Sequence, residues 1–190
     1  RSSSVSQSEF GDFPDAFRAS REARALYAQA LGDAGAFAYS LGARRDDNSA
    51  FGTFRTVRAG VAWRVAPGLR FRTSAGSAFK APSFFENFAT GFTVGNAALR
   101  PERSRSADLG VEAVLARGAL LRVTGFSQRF RDLIQYTGAP PAPGDPNYYN
   151  VAAANAGGVE IEGVLPDVAG IRLTAGYTWT ATRVVDAGFD

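Results

Sequence analysis

The 190-residue sequence contains no cysteine, no histidine and no methionine, and Lys80 is its only lysine. Without cysteine there is neither a disulfide framework nor a thiolate metal site. Without histidine the usual general base, the Ser-His pair and the zinc-histidine sets are missing. These absences remove the commonest catalytic and zinc constellations, and no catalytic residue, metal or cofactor is assigned from the sequence. No run of about 18 apolar residues occurs, which excludes a membrane-spanning helix. A membrane-spanning strand remains open, because it needs only about 9–11 residues with every second one apolar. The glycines lack the strand–loop–helix context of a nucleotide site. The net charge is only +3, and 20 of the 21 basic residues are arginines. They are scattered along the chain rather than clustered, so no nucleic-acid partner is expected.

What the sequence does have is alternation with a period of two. Residues 1–20 are polar, with Phe10, Phe13 and Phe17 irregularly spaced among Gly11, Asp12, Pro14 and Asp15, as in a loop. Residues 24–31 form a first strand, with Tyr27 and Gln29 on one face and Leu26 and Ala28 on the other; which face is apolar stays open. Phe37, Tyr39, Leu41 and Ala43 then oppose Ala38, Ser40, Gly42 and Arg44. Val57, Ala59, Val61, Trp63 and Val65 oppose Arg58, Gly60, Ala62 and Arg64. Further strands cover residues 69–79, 106–115, 121–134, 148–165 and 171–180, with a bulge expected near Asp132. Short turns are expected at 32–35, 66–68, 117–118 and 166–170, and longer connections at 46–52, 80–103 and 137–147. The last of these holds four prolines and cannot be strand interior. Short turns at one end and long loops at the other are the asymmetry of outer-membrane barrels.

Three ordered blocks carry a family resemblance. They are Ala78-Phe79-Lys80-Ala81-Pro82-Ser83, then Gly95-Asn96 with Leu99-Arg100-Pro101-Glu102, then Leu109-Gly110-Val111-Glu112. A fourth is Tyr149-Asn150-Val151 with Gly158-Val159-Glu160-Ile161-Glu162-Gly163. In this order they resemble the barrel of TonB-dependent outer-membrane receptors. Ala97 stands where that family usually has proline, and Asp108 where it usually has glutamate. The resemblance implies an all-β fold, an antiparallel transmembrane β-barrel of which this chain supplies about eight meandering strands out of about 22. It further implies a location in the bacterial outer membrane, an N-terminal plug domain and a TonB energy-transducing complex as partners. The implied function is active uptake of a scarce nutrient, a ferric siderophore or cobalamin, and a passive porin-like channel is the rival. Opening on Arg1 and stopping at Asp190, the sequence is expected to be an internal barrel fragment without plug or terminal strands.

On this reading the apolar face meets lipid. The opposite face, with Arg58, Arg64, Arg70, Arg72, Glu112, Arg122, Glu160 and Glu162, meets the lumen. Its arginines line a path for an anionic ligand, face acids of a plug, or pair with acids on neighbouring strands. Phe37, Tyr39, Trp63, Phe71, Phe79, Tyr177 and Trp179 are candidates for interfacial girdles. Phe84, Phe85, Phe88, Phe92 and Asn96, in the longest loop, are candidate ligand contacts for a metal chelate or corrinoid, with packing of the loop as the alternative role. Ser83 and Glu86 have the spacing of a capping box. Lys80, Ala81, Pro82, Ser83, Leu99, Pro101, Glu102, Gly110, Gly158 and Gly163 are motif residues expected to shape the barrel rim. Asp46, Asp47 and Asn48 form a weak oxygen cluster of the calcium type.

An eight-stranded piece of a wider barrel leaves two edge strands open. The 190 residues expressed alone are therefore expected to aggregate in water, as size-exclusion chromatography would show; a monodisperse soluble monomer would contradict the barrel reading.

Overall fold

The computed structural model describes residues 2–10, 13–166 and 170–186, and the side chains of all of these except 2–10, 13–16, 151, 152 and 186. Gly11 and Asp12, Asp167 of the last expected turn, and Asp190 lie outside the described residues. The elements are β1 (Ser2–Phe10), β2 (Phe13–Arg21), β3 (Ala23–Ala34), β4 (Phe37–Asn48), β5 (Gly52–Ala66), β6 (Leu69–Lys80), α1 (Phe84–Phe88), β7 (Glu102–Val114), a 3₁₀ turn (Ala116–Gly118), β8 (Leu120–Tyr136), β9 (Tyr148–Val164) and β10 (Thr174–Asp186). Strands β3 to β10 form one antiparallel sheet in strict chain order, and these are the eight strands expected from the alternation. They run for 12 to 17 residues, well beyond the usual globular strand of about 5–6.

Two expectations need correction. Residues 2–21 are not an irregular loop but a hairpin, β1 on β2, paired from Ser2↔Arg21 to Phe10↔Phe13 and separate from the main sheet. Near Asp132 there is no inserted residue. Asp132 takes a left-handed backbone (φ 55°), yet the β8–β9 pairing passes from Arg131↔Ala153 to Leu133↔Val151 in register.

The short turns follow from their residues. Pro67-Gly68 puts proline first and a glycine at φ 77° second, as a type II turn requires. At Arg117 (φ 61°) and Gly118 (φ 81°) both central residues are left-handed, the pattern of a type I′ turn, and the Ala119 N–H donates to the Ala116 carbonyl at 3.4 Å.

Register assigns the faces. The ladders carry Phe37, Trp63, Phe71, Val111, Val123, Ile161 and Tyr177 into one row near the short turns. Phe37 stacks on Trp63 with ring centres 5.7 Å apart, and Phe71 follows at 6.3 Å. The next row holds Tyr39, Val61, Thr73, Leu109, Gly125, Val159 and Trp179. Among the described residues nothing covers this apolar face: Leu109 is 63 % exposed and Tyr177 64 %. On β3 the pairs Leu26↔Arg45, Ala28↔Ala43 and Ala30↔Leu41 place Leu26, Ala28 and Ala30 on it, and Tyr27 and Gln29 on the polar face. Buried apolar side chains instead gather at the long-loop end, Phe54, Pro82, Ala89 and Leu99 among them. A sandwich would bury the apolar rows against a second sheet; here the core has been turned outward.

On the polar face Gly110 leaves room for its neighbours. A Cβ there would stand 2.9 Å from Arg72 Nε, 3.0 Å from Thr124 Oγ1 and 3.2 Å from the Val123 carbonyl. Gly110→Val is expected to destabilise the sheet by about 1–3 kcal/mol, read as a lower temperature for loss of the folded-barrel band on a semi-native gel of the whole protein in detergent.

Candidate functional site

Two places collect functional side chains, the polar face of the sheet and the long-loop end. On the polar face one row runs Arg64, Arg70, Glu112, Arg122, Glu162, and the next runs Arg72, Gly110, Thr124, Glu160. Glu112 accepts from Arg122 Nε at 2.7 Å and faces Arg70 Nη1 at 3.9 Å, while Arg122 Nη1 reaches Glu162 at 3.2 Å. Arg72 donates to Thr124 Oγ1 at 2.8 Å, and Ser74 donates to Asp108 in a short hydrogen bond. The chain Arg70–Glu112–Arg122–Glu162 thus links four neighbouring strands with alternating charge, a favourable cross-strand arrangement. Arg58 pairs in register with Gly76.

The long-loop end is built on α1. Ser83 caps the helix: Ser83 Oγ accepts from the Glu86 N–H at 3.1 Å, and the Ser83 N–H donates to Glu86 Oε2 at 2.6 Å. The capping box places Glu86 near Lys80 (3.9 Å), whose amine also bridges Glu102 at 3.2 Å. Buried Asn87 donates to the Asn96 carbonyl at 2.8 Å, and Asn96 in turn donates to the Tyr148 carbonyl at 2.8 Å. Asn147 accepts from the Val94 N–H (2.7 Å) and donates to the Thr137 carbonyl (2.8 Å). Asn150 accepts from the Arg100 N–H and donates to the carbonyls of Arg100 and Asp132, while Arg100 bridges Asp132 at 2.6 Å. Hydrogen bonds therefore tie the loop 81–101 to the loop 137–147 and to the first turn of β9. The hairpin joins through Arg21, which donates to the Pro82 carbonyl at 2.7 Å and lies over the rings of Phe84 (4.6 Å) and Phe51 (5.7 Å).

This network distributes the candidate ligand contacts unevenly. Phe84 lies beneath Arg21, Phe85 meets Tyr148 edge-on at 6.4 Å, and Phe88 approaches Phe17 at 6.3 Å. Asn96 has its amide and carbonyl oxygen engaged within the loop. Phe92 is the most outward of the set, 70 % exposed against 38 % for Phe85 and 40 % for Phe88. Of the motif residues, Pro82 and Leu99 are buried and Pro101 is buried behind them. Gly158 sits where a side chain would collide with the Phe126 ring, and Gly163 lies opposite Leu121 and Ala175 in the ladder.

The oxygen cluster does not converge. Asp46 and Asp47 point to opposite faces, each held by its own arginine, Arg44 at 2.7 Å and Arg45 at 3.0 Å. Asn48 Oδ1 accepts from the backbone of Ala50 and Phe51. The roles of Arg21, Asn147 and Asn150 in knitting the loops were beyond sequence reasoning. Their only signal is an asparagine at each entry into β9, with Asn150 inside a motif block. An open cavity of about 1270 Å³ lies elsewhere, along β3 to β8; it includes none of Phe84, Phe85, Phe88, Phe92 or Asn96.

The fold is shared with solved receptors. The siderophore receptor PirA from Pseudomonas aeruginosa superposes with a TM-score of 0.74 over 87 % of this chain, at 22 % identity. The ferric enterobactin receptor PfeA from the same organism gives 0.71 over 86 % at 18 %, and the iron transporter FrpB from Neisseria meningitidis 0.67 over 88 % at 16 %. The chain spans 32 %, 27 % and 26 % of those proteins, respectively, so it corresponds to about a third or less of each. The family model described as TonB dependent receptor-like, beta-barrel matches residues 2–190. With its uncovered apolar rows, sequential meander and matching blocks, the chain belongs to the TonB-dependent receptor family, as part of an outer-membrane β-barrel.

Proposed function

We propose that the protein containing this barrel segment takes up a ferric siderophore across the outer membrane, driven through TonB acting on a plug domain. The observation that supports this most is the loop end. A hydrogen-bonded platform of two long loops and a hairpin presents aromatic side chains, Phe92 foremost, at the end of the barrel away from the short turns. Solved relatives of the same fold are named siderophore receptors and an iron transporter, and one is titled as a complex with enterobactin. That favours an iron chelate over cobalamin. A bulky chelate with exposed apolar or aromatic edges gains from rigid aromatic contacts that need little ordering on binding. The arginines of the polar face, mostly satisfied by acids and hydroxyls, give the lumen a balanced lining rather than a strong anion trap.

Uptake of radiolabelled ferric siderophores from a panel of catecholates and hydroxamates by cells carrying the full-length gene tests the reading. Uptake of one class that stops when the proton-motive force is collapsed is expected. Uptake that persists would instead mark a passive channel. Phe92→Ala is expected to weaken binding of that siderophore by about tenfold or more, by fluorescence titration, with the folded-barrel gel band unchanged.

Gly95 provides a test of the platform itself. A Cβ there would fall 2.6 Å from Asn87 C and Phe88 N and 2.7 Å from Ala89 N, all backbone atoms. Gly95→Ala is therefore expected to dislodge α1 from the loop. Limited proteolysis should cut within residues 81–101 sooner, and siderophore affinity should fall although residue 95 bears no ligand-binding group.

A further inference from the structure

Counting the register outward from the apolar rows leads to a second set of arginines. Arg103 and Arg105 lie on β7 at even spacing from Val111, and Arg129 and Arg131 on β8 at even spacing from Val123. Since both ladders run without a shift here, all four share the lipid-facing side of the sheet, beyond the last apolar row towards the long loops. Arg105 stands directly opposite Arg129, and Arg103 opposite Arg131. Strand spacing and rise put the four Cα atoms at the corners of a patch about 5 by 7 Å. All four side chains are exposed.

Like charges directly opposite each other on neighbouring strands are unfavourable, and on the polar face the run Arg70–Glu112–Arg122–Glu162 relieves them by alternating sign, with Arg64 opposite Arg70 as the exception. Here no such relief exists. Among the described residues no carboxylate bridges any of the four; the adjacent Asp132 is taken by Arg100, and Arg103 instead lies over the Phe54 ring at 5.4 Å. Beside the patch the sheet is hollowed. The cavity of about 1270 Å³ is lined by these four arginines, by Arg55 and the polar-face Arg58, and by small or apolar residues including Leu41, Ala59 and Ala75. Leu41, Ala59 and Ala75 form one row of the lipid-facing side.

We propose that this hollow is a lipid site in which the arginines grip the phosphate of a phosphorylated lipid of the outer leaflet while an acyl chain lies along the alanine row. Guanidinium pairs suit phosphate oxygens through paired, charge-assisted hydrogen bonds. A phosphate between Arg105 and Arg129 would turn their repulsion into attraction. The position favours a membrane lipid over a soluble anion, because the four arginines continue the face that meets hydrocarbon and Leu41, Ala59 and Ala75 of the same cavity lie on that face. The inference rests on membership of an outer-membrane barrel family and is independent of the siderophore assignment.

The test uses the full-length receptor in nanodiscs of phosphatidylcholine doped with bis-phosphorylated lipid A. Native mass spectrometry is expected to find lipid A retained by the wild type. The combined variant Arg103→Gln, Arg105→Gln, Arg129→Gln and Arg131→Gln should retain at least about tenfold less. The matching four-lysine variant should keep most of the binding, and Arg117→Asn, at the opposite end in a turn that asparagine tolerates, should keep all of it. Dephosphorylated lipid A should bind wild type and glutamine variant alike, and inorganic phosphate should not displace the lipid. Folding of each variant is checked by the gel shift of the intact barrel; if the fourfold variant fails it, the pair Arg105→Gln and Arg129→Gln is expected to show the same loss in part. Equal lipid A retention by folded wild type and variants would overturn the proposal. So would displacement by inorganic phosphate, or loss of siderophore uptake with lipid binding intact, which would place the arginines on a soluble-anion path.

Discussion

The sheet's hydrogen bonding is the constraint from which the rest follows. From β3 to β10 each strand pairs antiparallel with its chain neighbours, in ladders of eight to sixteen pairs, with one register shift each in β5–β6 and β9–β10. A backbone satisfied in this way can enter hydrocarbon, provided the two edges are closed by further strands. Once it does, the side chains on one face need no partner sheet, and the exposed rows from Phe37 to Tyr177 and from Tyr39 to Trp179 cease to be anomalous. The lack of a continuous buried core is then an expected property. So is the concentration of buried apolar residues at the long-loop end, where the chain leaves the sheet and must pack on itself.

The alternation of residues such as Val57, Ala59, Val61, Trp63 and Val65 was enough to locate all eight strands of the sheet, because a lipid-facing row enforces the period directly. The capping box was equally legible, since Ser83 and Glu86 act within one turn. Residues 2–21 were not legible. Their residues, such as Ser4, Ser6 and Ser8, carry no apolar alternation, so nothing in the pattern distinguishes a hairpin from a loop. The open question on β3 had the same origin. Tyr27 and Leu31 share a face by parity, and only the pairs Gln29↔Gly42 and Leu26↔Arg45 decide which face that is. At Asp132 a pattern break was read as a bulge because left-handed backbone and an inserted residue disturb alternation alike; pairing across the strand separates them.

The arginines divide by register into groups with different physics. Arg70, Arg72 and Arg122 on the polar face sit among acids and hydroxyls that neutralise them. Arg21 and Arg100 fasten loops, through the Pro82 carbonyl and the Asp132 carboxylate. Arg103, Arg105, Arg129 and Arg131 are same-sign neighbours on the outward face. In the sequence this last group hides in Arg103-Ser104-Arg105-Ser106, a polar run that looks like loop approach. Counting in steps of two from Val111 and Val123 would have put it outside the barrel. The longest loop is likewise better defined by its partners than by its aromatics. Asn96, Asn147 and Asn150 hold it to the neighbouring strands, leaving Phe92 the most outward ring.

The central claim is the assignment of faces, and site-directed spin labelling reads it directly, since this stretch has no cysteine of its own. Single cysteines at positions 107, 108, 109, 111 and 112 of β7, in the full-length receptor in bilayers, would be labelled and their collisions measured with molecular oxygen and with a water-soluble nickel chelate. Oxygen accessibility should peak at 107, 109 and 111, and nickel accessibility at 108 and 112. Equal nickel accessibility on both sets, or the opposite phase, would contradict a barrel strand with Leu109 and Val111 in lipid.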